Sequence, residues 1–435
     1  MKKLILATGL LLLASHAAAQ NLVITNARIL DGKGAVIERG TVVVRDGTIA
    51  SVSAAAAQTP AGARVVDAKG MTVMPGFIDA HRHIIGGNPA QWLKEAAAPR
   101  MREFLEAGFT TVLSAGDAQD QILELRRRTE SGELTGPRII ALGRVPLAAP
   151  AGGGRAAGPP PAAAGRGAAP AAAPAAGRGG FNDGARRDRF RTAPASEQAP
   201  SAEQTKAAVA AVSKAGFDGI KAMIQVWPNG VQTETLRQVV IEAKAFKLPV
   251  MTHATSVEDT LGAVEARTDV LVHTPHIGRL EENPAAVQRI AKSGIPMMST
   301  LGVFIPHFDA EGKPLFRDGG EFEWPMLPSG GQGPVNARLL VNAGVTYAYG
   351  TDTSWLPRDA LATELRALTG MFSPKEIVTM LTRNAAAAVM KSDRGTLEAG
   401  KLADIVLLRQ DPLARVDNLL DVAMVIKGGR VVVEK

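Results

Sequence analysis

The sequence contains no cysteine, few aromatic residues and few histidines. The absence of cysteine from 435 residues excludes a disulfide framework and any metal site built from thiolates. Aromatic residues make up 4% of the chain, so its core must be mainly aliphatic. Because the chain has 7 histidines in total, the position of each one is informative.

Apolar runs long enough to cross a bilayer are also absent, since no segment has about 18 consecutive apolar residues. At the N-terminus, two lysines precede a shorter apolar run from Leu4 to Ala14, and residues 17–19 match an A-x-A cleavage site. We therefore expect a signal peptide over residues 1–19 that is cleaved before Gln20. The mature protein is expected to be exported, to the periplasm or the medium, without a membrane anchor.

The formal net charge of +7 does not indicate a nucleic-acid partner. Residues 148–200 carry seven arginines and three acidic residues, and the signal peptide carries two lysines, so the rest of the chain is close to neutral. Nucleic-acid binding requires a basic face on the folded body, which this distribution does not supply. The sequence leaves open whether the protein forms a homo-oligomer.

Strand patterns predict two structural units. Short β-rich runs with Asp-Gly or Gly-Gly turns occupy residues 20–72 and 391–435, which indicates one small sheet domain shared by both ends of the chain. Residues 73–390 alternate strand and helix patterns, and eight such strands predict a (β/α)₈ TIM barrel. The candidate strands are 73–80, 110–113, 138–142, 219–223, 248–252, 269–272, 295–299 and 345–350.

Residues 148–200 interrupt this alternation. They are mainly Ala, Gly, Pro and Arg, with almost no aliphatic residue larger than alanine, and such a composition cannot bury a core. We expect a disordered loop inserted after the third barrel strand. The arginine-rich segment 186–191 could bind an anionic surface, but a solvated loop is the preferred interpretation.

Two histidines follow the first barrel strand. His81 and His83 are two residues apart on an extended segment, so their side chains point to the same face and can converge on one metal ion. The alternative is a histidine pair with ordinary hydrogen bonds. The other predicted strands favour the metal site, because polar residues occur at their ends as well.

These polar residues are Lys221 on the fourth strand, His253 after the fifth, His273 after the sixth and Asp352 after the eighth. The C-terminal ends of barrel strands lie on one face, where active sites are built. A single histidine at a strand end is more often a buried core residue, but four histidines at one barrel mouth indicate a metal site. Imidazole nitrogens and carboxylate-type oxygens suit Zn²⁺.

Lys221 lies within an apolar strand pattern, where an ammonium group is costly unless it is paired or neutralised. It can form an ion pair, for example with Asp352. Alternatively, it can react with CO₂ to give a carbamate whose anionic oxygens bridge two metal ions. The site would hold two divalent ions with the carbamate and one without it.

The chain resembles the metal-dependent amidohydrolase superfamily, in particular its imidazolonepropionase-like and Xaa-Pro dipeptidase (prolidase-like) branch. The resemblance covers nearly all of the chain outside residues 1–19 and 148–200. It implies a (β/α)₈ barrel with a small β-sandwich formed by both termini. The motifs that carry it are residues 73–83 (VMPGFIDAHRH), 108–112 (GFTTV), 136–139 (GPRI), 350–352 (GTD) and 400–406 (GKLADIV).

By position in these motifs, the resemblance implies a role for each candidate ligand. His81 and His83 would bind the more buried metal, carboxylated Lys221 would bridge, and His253 and His273 would bind the second metal. Asp352 would be both a ligand and the group that moves protons. The loop that relatives have after strand 3 is replaced by the insert, and Ala362 and Thr363 stand where relatives often have a histidine before Glu364-Leu365.

The implied reaction is hydrolysis of a carbon–nitrogen bond in a small molecule or short peptide. A dipeptidase or carboxypeptidase-like enzyme is one interpretation, and a cyclic-amide or imidazolone hydrolase is another, which export disfavours. A non-catalytic scaffold is disfavoured because all six ligand positions are present. His276, three residues after His273, and His307, after the seventh strand, are candidate substrate contacts.

Overall fold

The computed structural model describes residues 21–55, 59–148, 197–304 and 326–435, with backbone alone for residues 326–331. The predicted signal peptide, most of the predicted insert and His307 lie outside these residues. Residues 197–200, at the end of the predicted insert, are described. The Glu197 carboxylate accepts hydrogen bonds from the Val231 N–H (3.1 Å) and from Gln232 Nε2 (2.6 Å).

Within the described residues, sixteen strands form two sheets. The strands are β1 (Leu22–Leu30), β2 (Val36–Arg45), β3 (Thr48–Ser53), β4 (Arg64–Asp67), β5 (Thr72–Pro75), β6 (Phe77–Arg82), β7 (Phe109–Ser114), β8 (Arg138–Arg144), β9 (Gly219–Met223), β10 (Val250–His253), β11 (Val270–Val272), β12 (Met297–Met298), β13 (Tyr347–Ala348), β14 (Ile405–Leu408), β15 (Val422–Lys427) and β16 (Arg430–Glu434).

The terminal sheet joins both ends of the chain, which confirms the predicted domain made from the two termini. Its order is β16-β15-β14-β5-β1-β2-β3, and β4 also pairs with β1. The connection between the two ends is the antiparallel pairing of β5 with β14, in which Val73 faces Leu407. An aliphatic core of its own lies against this sheet, with Leu22, Ile24 and Ile405 fully buried.

The second sheet confirms the predicted barrel. Strands β6 to β13 pair in parallel in chain order, and the Ala80 N–H donates to the Tyr349 carbonyl at 3.2 Å, which links the first barrel strand to the end of the last. The predicted strands 295–299 and 345–350 are shorter than expected, at two residues each. Backbone hydrogen bonds continue beyond them, for example from the Ser299 N–H to the Ala348 carbonyl at 2.8 Å.

The predicted strand 73–80 is two strands, which is a correction. β5 belongs to the terminal sheet, and β6 opens the barrel one residue later, after Gly76. A Cβ added to Gly76 would lie 2.3 Å from Thr110 Oγ1, so only glycine allows this close passage between the two sheets. The sequence pattern of residues 73–80 does not show that the chain passes from one sheet to the other, because the residues of both strands are buried.

Helices connect the barrel strands, and the Ala202–Lys214 helix begins with a capping box formed by Ser201 and Gln204. The described helices are Pro89–Glu95, Ala97–Glu106, Gln119–Glu130, Ala202–Lys214, Gln232–Ala245, Val257–Glu265, Pro284–Lys292, Met326–Asn342, Pro357–Thr369, Pro374–Thr379 and Ala385–Ala388. Among the described residues, no helix has both the length and the apolar character needed to cross a membrane.

Candidate metal centre

The C-terminal mouth of the barrel brings the predicted ligands together. A ring nitrogen of His81, a ring nitrogen of His273 and a carboxylate oxygen of Asp352 all lie within 4.8 Å of one another, and all three residues are buried. They come from three places in the sequence, since His81 lies near the end of β6 and the other two follow β11 and β13. This separation shows that the barrel topology assembles the cluster.

His81 and His83 converge on one oxygen, as their spacing predicted. Asp352 Oδ1 lies 3.1 Å from His81 Nε2 and 3.0 Å from His83 Nε2. The His81 side chain is 2% exposed, whereas that of His83 is 35% exposed. His83 therefore faces the solvent side of the cluster, where a substrate would enter.

His273 and His253 form the other side of the cluster. Their ring centroids are 4.4 Å apart, and the His273 ring is 4.9 Å from that of His81. His273 Nδ1 lies 2.8 Å from Thr300 Oγ1 and 4.0 Å from Asp352 Oδ2. All four predicted histidines thus surround the same space at the barrel mouth.

Lys221 is buried, with 5% of its surface exposed. Burial lowers its pKa to about 7, because the charged ammonium loses its hydration; Asp352 opposes this shift and Arg144 adds to it. No ion pair is formed by Lys221 within the described residues, although the sequence left that interpretation open. A buried lysine with this pKa has a substantial neutral fraction at pH 7, and the neutral amine is the form that reacts with CO₂.

The protonation states of His81 and Asp352 fit a divalent cation. Burial, reinforced by Lys221, lowers the pKa of His81 to about 3, so this imidazole is neutral. Burial raises the pKa of Asp352, but the neighbouring His81, His83 and His273 more than offset it and hold that pKa well below its usual range. Neutral imidazoles and an ionised carboxylate are the donors that Zn²⁺ prefers. His81 Nδ1 is also buried and has no hydrogen-bond partner among the residues that the structure describes.

Asp352 is held in an uncommon backbone conformation, with φ of 52°. Its N–H donates to the His81 carbonyl at 2.8 Å. On either side of it, Arg82 donates to Thr351 Oγ1 at 3.1 Å and to Thr353 Oγ1 at 3.0 Å. Thr351 Oγ1 donates in turn to Asp79 Oδ2 at 2.8 Å, so an internal network fixes the loop that carries Asp352.

Thr300, the partner of His273, is also left-handed, with φ of 47°, which is a genuine outlier for a β-branched residue. Glu364 on the Pro357–Thr369 helix holds the residues around it. Its carboxylate accepts hydrogen bonds from Ser299 Oγ (2.6 Å), the Leu301 N–H (2.9 Å) and the Gly302 N–H (2.6 Å). Burial raises the pKa of Glu364 to about 7 despite these donors.

Asp117, in the loop after β7, positions the segment that follows His83. Its carboxylate accepts hydrogen bonds from the Ile84 N–H (2.9 Å), the Ile85 N–H (3.2 Å) and Ser114 Oγ (2.7 Å). Its Oδ1 lies 4.0 Å from His83 Nδ1. At this distance the Asp117 carboxylate forms no hydrogen bond with the His83 ring. Burial opposes a charge on this ring, but the nearby carboxylates, Asp117 among them, favour the protonated form and raise the pKa of His83.

Sequence reasoning missed Asp79, Arg82, Asp117, Thr300 and Glu364. Asp79 and Arg82 did give a signal, since they are charged residues within an otherwise apolar strand. Their partners come from distant parts of the chain, which a pattern within one segment cannot identify.

The two predicted substrate contacts have different outcomes. His276 is 2% exposed, and its ring stacks on Phe304 at a centroid distance of 3.9 Å. The same phenylalanine lies 5.9 Å from the ring of His273, so His276 is close to the cluster, and its contact with a substrate stays a prediction. His307 lies outside the described residues.

A family model for the amidohydrolase family matches residues 72–432. An imidazolonepropionase from Symbiobacterium thermophilum is 26% identical over 428 residues, which cover 92% of each chain. A dihydroorotase from Anaeromyxobacter dehalogenans is 42% identical over 91 residues, so this match spans about a fifth of either protein (21% and 20%). A crystallised Xaa-Pro dipeptidase with methionine in its active site shares the fold, with a TM-score of 0.69, 22% identity and coverage of 96% of this chain and 100% of that one.

Proposed function

Because this chain belongs to the amidohydrolase family and is therefore a hydrolase of carbon–nitrogen bonds, we propose that it is an exported, zinc-dependent enzyme that cleaves the amide bond of dipeptides or N-acyl amino acids. One observation above all supports this proposal: His81, His273 and Asp352 converge within 4.8 Å at the barrel mouth. The similarity of the fold to a Xaa-Pro dipeptidase favours short peptides as substrates.

His81, His83, His253, His273 and Asp352 would hold the metal. A bound divalent ion supplies water with a pKa near 7 and polarises the scissile carbonyl group. Asp352 accepts the proton of the attacking water and returns it to the leaving nitrogen, as a general base and then a general acid. Its ionised state and its fixed loop prepare it for the first of these steps.

In our proposal, Lys221 supplies further oxygen donors for the metal site. Its neutral amine attacks the carbon of CO₂ and loses one proton, which gives a carbamate anion with two oxygen donors. Lys221→Ala should then lose bound metal and activity, and added acetate or propionate should restore part of both. A high-resolution map of active, metal-loaded enzyme with an unmodified Lys221 would contradict the carbamate and leave a site for one metal ion.

A second candidate is a cyclic-amide hydrolase. It is favoured by the match to an imidazolonepropionase along 92% of each chain. The two candidates differ in the leaving nitrogen, which departs with a separate product in a dipeptide and stays attached in a ring. Direct comparison of alanyl-proline with 4-imidazolone-5-propionate as substrates distinguishes them.

The experiment that tests the proposal combines metal analysis with a substrate panel. Purified protein should contain one to two zinc ions per chain, a chelator should abolish hydrolysis of dipeptides or N-acyl amino acids, and His81→Ala should lose both metal and activity. Exposed Glu258→Gln serves as the control. Full hydrolysis by metal-free protein would contradict the site, and a protein that binds no stoichiometric metal would be a scaffold.

Export is supported by the sequence of residues 1–19. Expression in a bacterial host followed by N-terminal sequencing of the periplasmic protein should give a mature chain that begins at Gln20. Recovery of the protein in the cytoplasm with its first residues intact would contradict this part of the proposal.

A further inference from the structure

Arg144 ends the third barrel strand, and it points into the barrel mouth. Ile140 and Leu142 on the same strand belong to the cluster that fills the barrel interior, and side chains alternate between the two faces of a strand. Arg144 therefore continues the inward row. It pairs in register with Lys221 on β9, so the two side chains lie beside each other on the inner face.

The side chain of Arg144 extends over the neighbouring loop. A Cβ added to Gly116, which follows β7, would lie 2.5 Å from Arg144 Nε, so the arginine passes directly over this glycine. Arg144 is exposed to solvent, unlike the buried Lys221 beside it. The guanidinium is nevertheless close enough to lower the pKa of Lys221.

Arg144 also differs from the other arginine at the mouth. Arg82 is buried, and its guanidinium is used by Thr351, Thr353 and the Trp355 carbonyl. The guanidinium of Arg144 forms no hydrogen bond or ion pair with any of the described residues. An accessible cation beside the candidate metal centre is thus available to an anionic ligand.

We propose that Arg144 binds the free carboxylate of the substrate. The enzyme would then be restricted to dipeptides and N-acyl amino acids in which the released amino acid carries a free C-terminal carboxylate. The inference rests on the proposed function. A guanidinium binds a carboxylate with two parallel hydrogen bonds. In such substrates the carboxylate carbon lies one residue, roughly 3.5 Å, from the scissile carbonyl. Arg144, at the wall of the mouth, can therefore bind the substrate carboxylate while Asp352 acts at the scissile amide bond.

Paired substrates that differ only in this charge test the inference. Alanyl-proline, alanyl-alanine and N-acetylalanine are each compared with the C-terminal primary amide of the same compound, using the metal-loaded enzyme. Arg144→Met should raise KM for the free acids roughly 10–100-fold more than for the amides, because a charge-assisted pair is lost. Arg144→Lys should recover part of the loss. Arg45→Met, which removes an exposed cation from the terminal sheet, is the matched control.

Other outcomes would overturn the inference. An equal loss on acids and amides, or a loss of bound metal in Arg144→Met, would show that Arg144 supports Lys221 and does not bind the substrate. Wild-type enzyme that cleaves acids and amides with equal kcat/KM would reject the carboxylate requirement but leave the proposed function intact. Hydrolysis of none of the six compounds by wild-type enzyme would overturn both.

Discussion

The two ends of the barrel are built from different types of residue. At the C-terminal mouth, His81, His273 and Asp352 are buried together, and two of them have left-handed backbones. The interior below them is aliphatic and runs into the Ala385–Ala388 helix, whose alanines share one cluster with the inward residues of the strands. Buried polar groups and left-handed residues cost stability, whereas aliphatic packing supplies it.

The comparison indicates that, within one sheet, the mouth provides activity and the interior provides stability. The left-handed residues His273, Thr300 and Asp352 lie in the loops that follow the barrel strands β11, β12 and β13. Such conformations persist only where surrounding contacts over-determine them. Substitutions at the mouth should therefore change activity at little cost in stability, and substitutions in the interior should do the reverse.

The largest effect is expected for Asp352→Asn, which should lower kcat by about 10²–10⁴-fold because the amide cannot accept the water's proton. Stability should change by less than about 1 kcal/mol, since asparagine has the same size and tolerates a left-handed backbone. Steady-state kinetics, metal analysis and urea unfolding check these values. If Asp352→Asn lost several kcal/mol of stability and kept normal turnover, the mouth would contribute to stability and not to catalysis.

Ile140→Ala tests the interior. Ile140 is 4% exposed in the interior cluster, so the truncation should lower the unfolding free energy by about 2–5 kcal/mol. Ile140→Val, which removes one methylene, should cost about 0.5–1.5 kcal/mol. Below the melting transition, kcat and KM of both variants should stay near the wild-type values. A large loss of kcat in folded protein would show that the two ends are coupled.

Glu364 is an expected exception at the mouth, because its buried carboxylate holds the loop around Thr300 and so contributes to stability. Glu364→Gln should lose at least one hydrogen bond and cost about 1–3 kcal/mol at pH 5. The folded-state pKa, raised from 4.5 to about 7, means that the folded protein prefers the protonated group. This contribution, roughly 3 kcal/mol, is present below pH 4.5 and lost as the pH rises through 7.

The stability gap between wild type and Glu364→Gln should therefore narrow from pH 5 to pH 8. Urea unfolding at both pH values measures it, and exposed Glu258→Gln is the control. A gap that widens with pH would show that the ionised carboxylate is the form the loop requires.

The smallest effect is expected for replacement of residues 151–194 by a short Gly-Ser linker. Their composition offers almost no apolar surface to bury, so the melting temperature should stay within about 2 °C of the wild-type value. Glu197 is kept, because it binds Val231 and Gln232. A drop of several degrees would show packing on the barrel, and a changed substrate range at constant stability would indicate a specificity loop.

The barrel and the clustering of its predicted ligands could be predicted because both repeat a local signal. Each strand is a short apolar run, and each candidate ligand stands at or near the end of one. The supporting residues could not be found in this way. Asp117 and Glu364 are single carboxylates whose targets are N–H groups in other loops, and the arrangement of those loops follows from the folded barrel.

The transfer at Gly76 has a consequence for the order of synthesis. β5 leaves the ribosome early, but its partner β14 lies near the other end of the chain. Val73 can therefore pair with Leu407 only after nearly the whole chain has been synthesised. At 5–20 residues per second, a chain of 435 residues takes roughly 20 to 90 seconds to complete. During that time, one edge of β5 lacks its partner, so the terminal sheet cannot close before translation is almost finished.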